Sequence, residues 1–192
     1  MSSNKNQEDS IRKEGFGAVD YIRILGGILL LNAILSNWFT GSSTWGYSGK
    51  WLNPQFLGHQ VSKTNMVLTD HELKLFNGQV TGFPIYIAVN GTIYDVTASK
   101  EIYGPGGPYA KFAGKDATRV LVTGCLNKDD EYTYDLRGLD QDDVEEAIQS
   151  WTSFYESHKK YWKVGEVTHI PVSGDPPAPC LDGSKYPGGI KT

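Results

Sequence analysis

Histidine and cysteine are scarce in this sequence, and neither is spaced to hold a metal. The four histidines, His59, His71, His158 and His169, form no HxxxH or HExxH pattern, which argues against a His-ligated zinc site. The two cysteines, Cys125 and Cys180, lie too far apart for a CxxC metal or redox motif. Clustered Lys and Arg are also missing, and the formal charge is −4, so no nucleic-acid partner is expected. No nucleotide-binding Gly-rich motif is present. Aromatics, in contrast, are plentiful: 5 Trp, 11 Tyr and 7 Phe, more than a minimal core needs. The 192 residues leave room for one globular domain and some appendages.

Residues 1–20 are polar and charged with little periodicity, the composition of a disordered tail. Residues 21–39, YIRILGGILLLNAILSNWF, follow. Their strictly apolar core, Ile24 to Leu35, is short and contains Asn32. A spanning helix needs roughly 20 mostly apolar residues, a length reached when Arg23 and Asn37 serve as snorkelling or interfacial ends. A membrane anchor, a signal peptide and a buried or surface helix all compete for this segment. The polar lead is long for a signal peptide, and Trp38, Phe39, Trp45, Tyr47 and Trp51 follow as an interfacial aromatic belt would. An anchor is the expectation.

Lys5, Arg12, Lys13 and Arg23 lie before or at the start of that segment, and Lys50 and Lys63 are the nearest cations after it. The positive-inside rule then puts the N-terminus in the cytosol and the domain in the lumen or outside. The sequon Asn90-Gly91-Thr92 and a cysteine pair able to form one disulfide lean the same way, although Asn-Gly is equally the signature of a hairpin turn.

Residues 40–66, rich in Gly, Ser and Asn, form a linker, and the domain spans 67–170. Thr69 and Glu72 have capping-box spacing, with Leu68 and Leu73 as a hydrophobic staple. PIYIAVNGTIYDVT alternates around Asn90-Gly91 and predicts a two-residue β-hairpin, with Ile85, Ile87 and Val89 on one face and Tyr86 and Ala88 on the other. Asp116 is expected to cap a helix. A second helix is predicted from Asp140, with Leu139 and Val144 as its staple and Val144, Ile148, Trp151 and Tyr155 as its apolar stripe. A short strand near Val164–Thr168 follows. Residues 171–192 turn to Pro, Gly and Ser and form a tail. The fold class is α+β, a small sheet with short helices stacked at one end.

The stretch Ile102–Arg119, IYGPGGPYAKFAGKDATR, stands apart. Two tyrosines, Tyr103 and Tyr109, flank a Gly104-Pro105-Gly106-Gly107-Pro108 turn. Glycines permit close backbone approach and prolines stiffen the loop, so a phenol can be held at a fixed place over a flat ligand. Packed core phenols are the plainer alternative for two isolated tyrosines.

Together with DVT (Asp95–Thr97), this run resembles the membrane-associated progesterone receptor family, a branch of the cytochrome b5-like haem/steroid-binding fold. VTGC (Val122–Cys125), SFYE (Ser153–Glu156) and VGEVT (Val164–Thr168) look most like its neuferricin and neudesin members. The likeness covers roughly Val67 to His169, and Cys180 in the tail is similar to neuferricin as well. Ordinary cytochrome b5 holds haem between two histidines, one in an HPGG turn. Here that turn reads YGPGGPY, so bis-histidine ligation is excluded from this loop.

What the resemblance implies is non-covalent haem b held through one tyrosine. Tyr109 is then the axial metal ligand, Tyr103 bonds a haem edge or propionate, and Lys160 and Tyr161 contact the propionates. Phe112 and Ala113 could line the pocket wall, and the short segment carrying Tyr132 and Tyr134 marks a side where this pocket departs from the family's. A phenol with a pKa of about 10 ligates well only as phenolate, a hard anion that favours ferric iron.

Further implications are a non-enzymatic role in haem handling, or support of haem monooxygenases or sterol-pathway enzymes, at the endoplasmic reticulum or another endomembrane. A haem-stacked homodimer and a secreted form are also compatible. Steroid binding is a family association. The alternative from a different class is a haem-free interaction module docking onto a membrane complex. An electron-transfer subunit is the weakest reading, because phenolate-bound ferric iron is hard to reduce.

Overall fold

The computed structural model of the protein describes residues 16–62 and 65–178. The polar leader before Phe16 and the end of the tail, including Cys180, lie outside the described residues. The chain divides into two compact units, residues 1–48 and 49–192.

In the first unit a single helix, α1 (Ala18–Thr40), takes in the whole apolar segment and ends at Gly41, whose φ of 69° provides the left-handed cap. Its 23 residues give a length of about 35 Å at 1.5 Å per residue, against about 30 Å of bilayer hydrocarbon. Its apolar side chains are exposed, so α1 is a candidate transmembrane span by length and composition. Asn32, the polar interruption, accepts a hydrogen bond from the Trp45 indole at 3.1 Å.

The second unit is built on a four-stranded sheet. Its strands are β1 (Met66–Thr69), β2 (Tyr86–Val89), β3 (Thr92–Asp95) and β4 (Trp162–Thr168), in the order β1-β4-β3-β2. β1 runs parallel to β4, and the other neighbours are antiparallel. Asn90 and Gly91 have φ of 49° and 73°, the left-handed pair that a two-residue hairpin turn requires.

Both faces of the hairpin are covered. Ile85, Ile87, Val89, Tyr94 and Val96 join a core cluster with Tyr103, Phe112, Val120, Tyr155 and Tyr161. Tyr86, Ala88 and Ile93 join the opposite cluster with Leu73, Trp162, Val164 and Phe56.

Local signals set the helix starts. Thr69 and Glu72 exchange the two bonds of the capping box at 2.8 and 3.3 Å, opening α3 (Asp70–Leu73). Asp140 accepts from the backbone of Asp142 and Asp143, opening α6 (Gln141–Ser157). Asp116 departs from the helix-capping expectation. The cap residue of α5 (Thr118–Thr123) is Ala117, and Asp116 bonds both the Thr118 and the Gly91 amides, tying α5 to the hairpin turn.

Two stretches with loop-like composition also carry structure. Inside the expected linker, a 3-10 turn (Lys50–Leu52) and α2 (Pro54–Ser62) bury Phe56 edge-on against Trp162, ring centroids 5.5 Å apart. Inside the expected tail, Gly174 and Pro177 offer their carbonyls to Arg137 and Arg119. The Arg119 guanidinium is buried, 3.3 Å from the equally buried Glu131 carboxylate, and also donates to the carbonyls of Asp135 and Arg137. This one side chain therefore organises residues 131–137 and the first part of the tail. Cys125 is buried and disulfide-bonded.

Candidate functional site

The motif loop leaves α4 (Lys100–Tyr103) and doubles back within a few residues. Gly104 donates to the Lys100 carbonyl at 2.8 Å, Gly107 to that of Gly104 at 2.9 Å, and Tyr109 to that of Ile102 at 3.0 Å. A methyl on Gly104 or Gly107 would run into the Lys100 or Ile102 carbonyl oxygen, so glycine is required at both positions by backbone approach. The reversal sets the rings of Tyr103 and Tyr109 6.0 Å apart. A short 3-10 turn (Ala110–Phe112) follows, and it stacks Phe112 on Tyr109 at 5.1 Å with planes 9° apart.

The two tyrosines differ in environment. Tyr103 is 4% exposed, and its hydroxyl lies 3.0 Å from that of Tyr155 on α6. Burial first, then the phenols of Tyr155 and Tyr161, push the Tyr103 phenol far above its ordinary pKa. It therefore stays protonated. Burial likewise raises Tyr155, against the opposing bond from Tyr103. Tyr109 is half-buried and packs on the rim of this cluster.

The structure brings Tyr161 to the same cluster, its ring 5.9 Å from Tyr103 and nearly perpendicular. Its hydroxyl donates inward to Ser99 at 2.9 Å. Lys160 is half-buried next to it, with its backbone N–H on the His158 Nδ1 at 3.2 Å. Three predicted residues, Tyr103, Tyr109 and Tyr161, thus form one aromatic wall, and Lys160 borders it.

Sequence reasoning missed the partners Ser99, Phe154 and His158, and treated Tyr155 only as core. His158 stacks on Tyr161 at 3.8 Å. Burial, followed by the charges of Lys160, Lys50 and Lys159, lowers its pKa, so near neutrality the imidazole is uncharged among three lysines. The only hint in the sequence was the crowding of Phe154, Tyr155 and His158 at the end of one helix. Tyr132 packs on Phe112 at 5.6 Å with Lys111 and Lys115 over its ring. Tyr134 turns away and stacks on His169 at 3.8 Å.

His169 is the centre of a second cluster. Its Nδ1 lies 2.8 Å from Asp70 and its Nε2 3.0 Å from Asp116, joining the end of β4 to α3 and to the hairpin turn. Burial works against the imidazolium, but the bonds to Asp116 and Asp70 outweigh it and raise the His169 pKa. Burial likewise works against the Asp116 carboxylate. The bonds from His169, Thr118 and Gly91 prevail, and its pKa is lowered.

The family model for the cytochrome b5-like heme/steroid binding domain matches residues 69–167. Membrane steroid-binding protein 2 of Arabidopsis thaliana is 45% identical over 100 residues, covering 52% of this chain and 41% of that protein. The neuferricin homolog of Caenorhabditis briggsae is 38% identical over 109 residues, covering 57% of this chain and 32% of that protein. The chain thus spans under half the length of either relative. The solution structure of a putative steroid-binding protein from Arabidopsis shares 36% identity, covers 55% of this chain and 99% of its own, and superposes with a TM-score of 0.47. The aromatic wall and its glycine turn lie within the matched residues, and the chain belongs to the cytochrome b5-like haem/steroid-binding domain family, in its membrane-associated progesterone receptor branch.

Proposed function

We propose that this protein is a membrane-anchored, non-enzymatic haem-binding protein in which Tyr109 is the axial ligand to haem b. The observation that carries this reading is the half-buried Tyr109 phenol, stacked on Phe112 at the rim of an aromatic wall, in a turn that contains no histidine.

The residues present fit the group. Tyr109 offers a hard oxygen donor, the buried rings of Tyr103, Phe112 and Tyr161 pack behind it, and Lys160 supplies positive charge beside them. Bound there, the cofactor would supply a ferric centre with a low reduction potential. Tyr103 holds its proton firmly and is no second phenolate, and its hydroxyl is engaged by Tyr155, so a haem contact through it would require exchanging that bond. The Tyr161 hydroxyl is engaged by Ser99, so a propionate contact through it would require exchanging that bond, whereas Lys160 could pair with a carboxylate directly.

The domain would face the lumen of the endoplasmic reticulum or another endomembrane. The cations ahead of α1 support that orientation, as does a disulfide-bonded Cys125. Its use would be haem handling, or support of haem monooxygenases or sterol-pathway enzymes.

A second reading, steroid binding, is favoured by the name of the plant relative. The test is titration of the full chain in detergent micelles with ferric haem, followed by absorption, against a parallel titration with a labelled steroid. A tyrosinate-type high-spin spectrum supports the haem reading. Saturable steroid binding without a haem spectrum supports the second.

A further inference from the structure

We propose that the 3-10 turn at Lys50–Leu52 and α2 form a foot that seats the domain on the surface of a lipid bilayer. From Tyr21 to Thr69 the sequence contains no acidic residue, although the chain carries 22. Within this acid-free stretch, the turn and α2 are fixed to the domain from one side. Phe56 is 3% exposed and wedged between Trp51 and Trp162, with ring centroids 5.0 and 5.5 Å away. The Lys50 amide donates to the Lys159 carbonyl at 2.7 Å.

The outward side is apolar. Trp51 is 60% exposed, Leu52 49%, Leu57 43% and Val61 86%, with Leu57 and Val61 one helical turn apart. Surface helices of globular proteins turn a polar face to water. A short segment with indole, leucine and valine side chains outward and no carboxylate suits the boundary between headgroups and acyl chains.

Two features favour lipid over a protein partner. Four side chains on one short helix and a turn fall short of the about 800 Å² per partner of a standard protein interface. The candidate span also ends at Thr40, ten residues before Lys50. At no more than about 3.6 Å per residue the chain cannot carry the foot farther than roughly 36 Å from that end. The Lys50 ammonium is turned onto the Glu156 and Tyr161 carbonyls and the ring nitrogens of His59 are buried, so the four apolar side chains would make the contact with lipid.

The proposal rests on α1 crossing the membrane, and the experiment separates the two. Full-length Leu57→Cys, Val61→Cys and, as a control on the exposed face of α6, Glu145→Cys are spin-labelled and reconstituted into phosphatidylcholine vesicles containing phosphatidylserine. Accessibility to oxygen and to a water-soluble nickel chelate is then measured, and alkaline carbonate extraction reports the anchor. The expected result is a chain that resists extraction, with labels at 57 and 61 severalfold more accessible to oxygen than to nickel and the label at 145 the reverse. Labels at 57 and 61 as open to nickel as that at 145, in a chain that resists extraction, overturn the foot and leave the anchor standing. Labels shielded from both reagents also overturn it, in favour of a protein occupant. A chain released by carbonate overturns the anchor and the foot together.

Discussion

The hydroxyls of Tyr103 and Tyr155 meet 3.0 Å apart in the core, joining the motif loop to the last helix of the domain. Both rings are almost wholly buried, burial raises both phenols above the ordinary tyrosine range, and the Tyr103 hydroxyl is shared between Tyr155 and Tyr161. Tyr155→Phe should cost about 1–3 kcal/mol by leaving the Tyr103 hydroxyl short of one partner. Adding Tyr103→Phe should recover part of that loss. Urea unfolding of the four-member mutant cycle reads the coupling, and strict additivity would show that the two hydroxyls do not interact.

The buried Arg119–Glu131 pair makes a stability prediction of larger size. Removing one partner leaves an uncompensated charge in the core, so Glu131→Gln should destabilise by about 3–5 kcal/mol. Arg119→Met should cost a similar amount and also free the carbonyls of Asp135, Arg137 and Pro177. Replacing both with apolar residues should cost less than either change alone. Denaturant midpoints of the three variants decide.

His169 sets a pH dependence on the alkaline side. Its folded pKa is raised, so its contribution is complete below the unfolded value of about 6.5 and is lost as pH rises through the folded value. Asp116 is lowered, so its contribution is present above the unfolded carboxylate value of about 3.9 and is lost as pH falls through its depressed folded value. His169→Gln should therefore flatten the fall in stability above about pH 6.5, measured as melting temperature against pH. An unchanged slope would mean that the cluster does not titrate in the folded state.

Phe56→Ala should loosen α2 from the domain. Large-to-small changes at buried phenylalanines cost about 3–5 kcal/mol, and the expected result is faster hydrogen exchange across residues 54–62 with the sheet unchanged. Exchange no faster than in the wild type would show that α2 is held by other contacts.

Those four sites also show where sequence reasoning reaches. The Thr69/Glu72 capping box, the Asn90-Gly91 turn and the Asp140 cap were legible because each is a local device whose partners lie within a few residues. The glycine turn with its two tyrosines was legible for the same reason, and the family resemblance rested on it. Tyr103–Tyr155 and His169–Asp70–Asp116 join positions 52, 99 and 53 residues apart, and no periodicity marks such pairs. Phe56 was hidden because a Gly-, Ser- and Asn-rich composition describes the average of residues 40–66, while burial of a single ring decides whether the helix docks. Pro177 and Gly174 were hidden for a like reason, since their carbonyls rather than their side chains make the contacts. Asp116 was expected to cap a helix but lies one residue before the cap, Ala117, and its carboxylate serves Thr118, the hairpin turn and His169, the last two being partners that only the folded chain supplies.

The most direct test of the proposed ligand compares wild type, Tyr109→Phe and Tyr103→Phe as full chains in detergent, each titrated with ferric haem and followed by absorption. A high-spin tyrosinate-type spectrum in the wild type, abolished by Tyr109→Phe and kept in shape but weakened by Tyr103→Phe, is the predicted result. A spectrum that survives Tyr109→Phe unchanged would contradict the ligand assignment, and a cooperatively melting wild type with no haem spectrum at all would contradict the haem reading itself.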